Sequence, residues 1–401
     1  MQSRRQFLKR SSLISLVPTI PTFLRATVDA AEVGQDKILV VVELSGGNDG
    51  LNTLVQYKDD GYLSNRTALR LDDNSLLKLN DTLALHPSMQ GMAKLFEAGE
   101  LAIVQGVGYP NPNRSHDVSM AVWHTARTDV ELHRDMGWLG RGMDRLAVRQ
   151  GVPSSVTAYS SAIPNAIRGR KSQTASIESL NEFARSNMMR PDLTTVLSDS
   201  KQSAVPLTNF LRQSALEAYT TSQRLRLLSE STSGKKESAL SRLDSPIARQ
   251  LGVIADLIQA DFGSRVYYAV QSGYDTHSRQ LNDHSALLRA LSNSLTAFLK
   301  ELSESGNGDR VLVMCFSEFG RQVKENASAG TDHGTAGPVF VAGKAVKGGV
   351  HGQSLDLQTL IDNAPRHTTD FRDVYAGILR DWLTIDPTKV LDGHSTALRL
   401  V

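Results

Sequence analysis

Carboxylates, imidazoles and one hydroxyl recur in this sequence just beyond runs of apolar residues. Asp49 closes Ser45-Gly46-Gly47-Asn48-Asp49, and Ser115 lies in Asn113-Arg114-Ser115-His116. Asp275 and His277 sit in Gly273-Tyr274-Asp275-Thr276-His277, and Glu318 in Ser317-Glu318-Phe319-Gly320-Arg321. Asp332 and His333 follow in Gly330-Thr331-Asp332-His333-Gly334. Several carboxylates cannot share a site uncompensated, because like charges raise each other's pKa. A divalent cation resolves that repulsion. Asp, Glu and His donors without cysteine suit zinc first, with manganese or magnesium as alternatives. Two such ions, about 4 Å apart, would clamp the attacking and leaving oxygens of an in-line displacement. A serine hydroxyl at a helix start beside a metal can lose its proton and attack phosphorus, and Ser115 fits that role by position. Arg114 and Arg321 can hold the remaining oxyanion charge.

Each residue alone has a plainer reading. Asp49 in a Gly-rich turn reads as a turn residue, and Ser115 as an N-cap. His284 shares a helix face with Leu288 and Leu291, so it reads as a packed or capping histidine. His86 precedes Pro87 and closes a turn. Cys315, the one cysteine, lies inside an apolar run and reads as inert core; alone, it excludes an internal disulfide and cysteine-based zinc or iron–sulfur sites. What favours chemistry is the joint placement of the acidic and histidine residues.

That placement depends on the elements between them. Residues 37–44, 101–105, 265–270, 311–316 and 338–341 are short apolar runs rich in Val, Ile and Leu, which predict buried strands. A helix is predicted from near Ser115 through Trp123, and another carries the stripe Leu287, Leu288, Leu291, Leu295, Phe298, Leu299 and Leu302. A last helix starts at a Thr369/Asp370 cap. Strands alternating with helices predict an α/β fold, a mostly parallel sheet sandwiched by helices. Ligands bind beyond the carboxyl ends of such strands. The four longer strands lead to Asp49, Ser115, Asp275/His277 and Glu318, and Asp332/His333 immediately precede the fifth. Residues 31–401 are expected to form this domain, with 151–250, more polar and less patterned, as a helical insertion or cap.

The N-terminus reads as an address. Arg4-Arg5 is followed by a broken apolar stretch and by Val28-Asp29-Ala30, the layout of a twin-arginine signal over residues 1–30. Removing it takes away five basic residues and one acid and changes the formal charge from +2 to −2. The expectation is a periplasmic protein that meets the twin-arginine export machinery, binds no nucleic acid and has no stable membrane insertion.

The motifs Glu43-Leu-Ser-Gly-Gly-Asn-Asp-Gly-Leu-Asn52, Asn113–His116, Gly273–His277, Ser317–Arg321 and Gly330–Gly334 together resemble the exported family known as domain of unknown function 1501. The resemblance spans essentially the whole chain after the signal. That family is grouped with the alkaline-phosphatase-like superfamily, which includes phosphatases, cofactor-independent phosphoglycerate mutases and sulfatases. The resemblance implies an alkaline-phosphatase-like fold, a two-metal site and a hydroxyl nucleophile. Asp49 then matches the first-strand metal aspartate, and Ser115 the nucleophile. Asp275 and His277 match a further ligand pair; Asp332-His333 matches the superfamily's Asp-His dipeptide literally, but strand order favours Glu318 in that place, with His333 as the late metal histidine and Asp332 assisting. The sequence departs from the pattern in two places: only one residue separates Asp275 from His277, and Phe319 stands where a histidine would follow Glu318. No Cys/Ser-x-Pro-x-Arg sequence is present, which argues against a formylglycine sulfatase. The implied activity is metal-dependent hydrolysis of a phosphate or related oxyanion ester, on a small molecule or a polymer. The alternative is a non-catalytic exported binding or assembly protein with a degenerate metal site.

Overall fold

The structure, a computed structural model, describes residues 37–128, 135–146, 154–158, 163–179 and 238–401. The expected signal segment and most of the interval 151–250 lie outside these residues. Among the described residues, nine strands form the main sheet. They are β1 (Ile38–Ser45), β2 (Leu101–Gly108), β3 (Ser155–Thr157), β4 (Thr174–Ser176), β5 (Val266–Ser272), β6 (Val311–Phe316), β7 (Gly337–Ala342), β8 (Gly349–His351) and β9 (Thr369–Asp370). The order across the sheet is β8-β2-β7-β6-β1-β5-β3-β4, with β9 also pairing β2. All pairings are parallel except those of β7, which runs against both β2 and β6.

That one reversal serves the site. β1, β2, β5 and β6 all end at the same edge, and antiparallel β7 begins there. The loop before β7 therefore meets the loops after the other four strands.

Alternation along the strands divides the core in two, because successive side chains point to opposite faces. Val40, Val42 and Leu44 pack on one side with the helices α1 (Gln90–Glu97), α4 (Pro246–Gln259) and α5 (Gln280–Glu304). Leu39 and Val41 pack on the other with α2 (His116–Thr125), α3 (Trp138–Met143) and α6 (Phe371–Gly377). Helix starts follow local chemistry. Ser245 Oγ accepts from Ala248 N–H with Pro246 in the first turn of α4, and Asp370 accepts from Arg372 N–H at the start of α6. Cys315 is buried in β6, and burial pushes its thiol up to about 12.

The interval read as a helical cap differs where it is described. β3 and β4 extend the main sheet beyond β5, and α4 packs on the core. Strands of three residues are too short for a periodicity to register, so their polar sequence reads as irregular.

Two histidines are buried beneath the site. His284 Nε2 lies 2.8 Å from Asn48 Oδ1, and His86 Nδ1 accepts from Ser88 N–H at 3.0 Å. Burial lowers His284 to about 3 and His86 to about 4. The unfolded chain protonates these rings near the ordinary value of roughly 6.5, whereas the folded chain resists until far lower pH. Their contribution to stability is complete above that value and is lost as the pH falls toward about 3 and about 4. Urea unfolding at pH 5 should show a loss of up to roughly 2 kcal/mol per ring against pH 7.5. Equal stability at the two pH values would contradict this.

Candidate metal centre

The turn after β1 is tight because Gly46 and Gly47 take φ of +119° and +75°. A Cβ on Gly46 would stand 2.5 Å from Asp275 N, and one on Gly47 2.3 Å from the Phe319 ring. Glycine at both positions lets the loops after β1, β5 and β6 close on one another. Arg321 completes the closure from within. It is 1% exposed, and its guanidinium donates to the carbonyls of Gly47 (2.7 Å), Thr331 (2.8 Å) and Tyr274 (3.0 Å) and to Asp275 Oδ1 (2.7 Å).

Three imidazoles converge on Asp275. His277 Nε2 and His333 Nε2 each lie 3.1 Å from Asp275 Oδ1, and His116 Nε2 lies 3.5 Å from it. His116, Asp275 and His333 offer donor atoms all within 4.8 Å of one another, and His277 Nε2 is 2.9 Å from His333 Nε2. Each ring is fixed through its other nitrogen. His116 Nδ1 meets Glu318 Oε1 at 2.8 Å, His277 Nδ1 meets Asp332 Oδ1 at 3.0 Å, and His333 Nδ1 meets the Arg114 carbonyl at 2.8 Å. Carboxylate and carbonyl oxygens only accept, so each Nδ1 carries a proton and each Nε2 is turned inward. Lone pairs 2.9 Å apart repel unless a cation or a proton lies between them.

These donors fit one divalent ion. His116 Nε2 is buried and makes no hydrogen bond. Histidines held from behind by carboxylate or carbonyl partners are the usual arrangement around a metal. Nitrogen and oxygen donors without sulfur suit zinc, with manganese or magnesium less matched to three imidazoles. Burial raises the Asp275 carboxyl, but Arg321 and His333 outweigh it and hold the group down to about 2. The hydrogen bond to Glu318 raises His116. Phe319 forms an apolar wall, its ring centroid 5.0 Å from that of His116 and 4.9 Å from that of His333.

The remaining sequence-predicted residues take other positions. Asp49 is not in this group. It is wholly buried, its two oxygens bind Arg66 at 2.6 and 3.0 Å, and it accepts further bonds from Gln280 Nε2 and Leu51 N–H. Burial alone would raise its pKa, yet Arg66 holds it low. Asp49, the aspartate that the resemblance assigns to a metal, is neutralised by a guanidinium, and the side chain after Glu318 is a phenyl ring. Glu318 and Asp332 back the rings of His116 and His277. Glu318 also accepts from Gly46 N–H (2.9 Å) and Ser317 Oγ (2.9 Å). Arg321, expected to hold an oxyanion, has its N–H groups engaged by the loops. Arg114 donates to the carbonyls of Ile361 (3.1 Å) and Asp362 (3.0 Å). Ser115 is the exposed N-cap of α2, and its hydroxyl makes no capping bond. Ser119 is fully buried, donates to the Glu318 carbonyl at 2.6 Å and accepts from Tyr109.

His116 is the residue that sequence reasoning missed. It lies within Asn113–His116, and its place at the first turn of the helix after β2 is the available signal.

These features define an α/β protein with a histidine–aspartate cluster at the carboxyl edge of its sheet. The chain belongs to the family described as protein of unknown function DUF1501, whose model matches residues 36–399. No curated protein matches the sequence. The solved structures it is similar to include the lipoteichoic acid synthase LtaP from Listeria monocytogenes, with 10% identity, coverage of 90% of this chain and 75% of that one, and a TM-score of 0.40. A protein in the alkaline phosphatase superfamily from Vibrio parahaemolyticus shares 10% identity over 90% of this chain and 69% of that one, at a TM-score of 0.36. The phosphonate monoester hydrolase SpPMH from Silicibacter pomeroyi shares 11% over 91% and 76%, at 0.34. Likeness of this degree leaves substrate and mechanism to the side chains.

Proposed function

We propose that this chain is an exported, single-metal hydrolase of phosphate or related oxyanion esters. The observation that carries the reading is the convergence of three Nδ1-anchored imidazoles on Asp275 Oδ1. A divalent ion held by His116, Asp275, His277 and His333 would supply a Lewis acid for an ester oxygen. Glu318, Asp332 and the Arg114 carbonyl keep the three rings in one tautomer. Arg321 fixes Asp275 and ties together the loops that carry the ligands. Phe319 keeps water from one side of the cluster. Ser115 presents an unengaged hydroxyl at the N-terminus of α2, where helix N–H groups favour the anionic ester. We assign it as nucleophile.

Ser115→Ala should lower turnover of an aryl phosphate roughly 10³-fold or more while metal content stays at the wild-type value. Elemental analysis beside a phosphatase assay checks both. Unchanged turnover would remove Ser115 from the mechanism.

A second reading is a binding protein that keeps the metal and lacks turnover. The guanidinium on Asp49 and the phenyl ring of Phe319 favour it, since together they replace the second ion's ligands. Metal at one ion per chain without hydrolysis of any phosphate, phosphonate or sulfate ester would select it.

Export follows the Arg4-Arg5 pair, and among the described residues no helix is long and apolar enough to cross a membrane. Replacing both arginines with lysine should keep the chain in the cytoplasm. Periplasmic accumulation of that variant would exclude the twin-arginine route.

A further inference from the structure

A cavity of about 670 Å³ opens beside the cluster and takes no part in the chemistry described so far. That volume is typical of small-molecule sites. Cavity and cluster share a wall. The Arg114 carbonyl anchors His333, while the rest of Arg114 lines the cavity. Thr335, two residues past His333, lines it too.

The lining is unevenly charged. Arg114, Arg366 and His367 face a single acid, Asp362, which sits at the exposed tip of the hairpin joining Leu360–Ile361 to Ala364–Pro365. No ion pair among the described residues engages Arg114 or Arg366, and Arg366 makes no hydrogen bond there. Arg114 is braced by the hairpin carbonyls, so its charge is held in place without a counter-ion. Burial lowers His367, which leaves it a neutral ring and puts the positive charge on the two arginines. Pro112, Ile361 and Pro365 supply apolar walls. Guanidinium groups without carboxylate partners match carboxylate and phosphate oxygens in geometry and charge.

We infer that this cavity is a subsite for a second oxyanion, and that the protein's substrate carries a carboxylate or phosphate group besides the ester presented to the metal cluster. The inference of a substrate rests on the hydrolase reading; that of an anion site does not.

Two measurements separate them. In the first, the metal-stripped full-length chain is titrated calorimetrically with inorganic pyrophosphate. Saturable binding, weakened about tenfold or more in Arg366→Ala, is expected. No binding, or equal binding by the variant, overturns the subsite. In the second, the metal-loaded chain is offered phenyl phosphate and 4-carboxyphenyl phosphate. The ratio of their kcat/KM values should favour the carboxylated ester about tenfold and fall toward one in Arg366→Ala. A ratio of one in the wild type overturns the second-oxyanion substrate. Failure to hydrolyse either ester, with pyrophosphate binding intact, sinks the hydrolase reading and leaves the anion site standing.

Discussion

Substituting His116 with alanine should reduce bound metal from about one ion per folded chain to background and abolish ester hydrolysis. The ring contributes one of three converging nitrogens, and its Nε2 is the buried atom without a hydrogen bond. Removing it leaves two imidazoles and Asp275, of which Asp275 is already bound to Arg321. His116 also links the cluster to Glu318. Glu318→Gln should therefore give a graded version of the same defect, weakening metal affinity by about 10–100-fold, because the amide no longer sets the Nδ1–H tautomer. Elemental analysis and a chelator competition would measure both. Full metal occupancy in His116→Ala would mean that the three rings do not act as one site. Phe319→His offers a converse check. It should not raise the stoichiometry to two, since the second aspartate remains bound to Arg66.

Replacing Arg66 with alanine should destabilise the fold by about 3–5 kcal/mol, the usual consequence of stranding one partner of a buried ion pair. Arg66 and Asp49 are both fully buried, and Arg66 also donates to the carbonyls of Val323 (2.6 Å) and Gln322 (2.9 Å). Without the guanidinium, Asp49 would remain charged in the interior with Gln280 and one backbone N–H as its donors. Urea unfolding would measure the loss. Arg66→Met combined with Asp49→Leu should recover most of it, because two apolar groups need no partner. The double variant should also retain its metal, which distinguishes a structural aspartate from a ligand. A loss below about 1 kcal/mol in Arg66→Ala would show that the pair is dispensable.

Much of the framework was legible in the sequence. Apolar β-branched runs mark β1, β2, β5, β6 and β7 because a strand covered on both faces excludes polar side chains, and the leucine stripe marks α5 for the corresponding reason. The rule that ligands gather beyond the carboxyl ends of strands then points to Asp275 and His277 without any contact being known, whereas His333 reaches that edge because β7 runs antiparallel. β3 and β4 were not legible, since three residues carry no period.

The sequence by itself determined which residue types reach the sheet edge, and in what order along the chain. Only the tertiary structure decided their partners. Arg66, 17 residues from Asp49, is returned to it by two short helices, Gly50–Thr53 and Asp60–Asn65, and the pairing turns an expected metal ligand into a buried ion pair. Glu318 likewise became a support for His116, because Gly46, Ser317 and His116 reach its oxygens first. A carboxylate's role depends on which charge lies within about 4 Å of it. Strand and helix periodicity fixes position along an element, whereas that distance arises from loops packed across hundreds of residues.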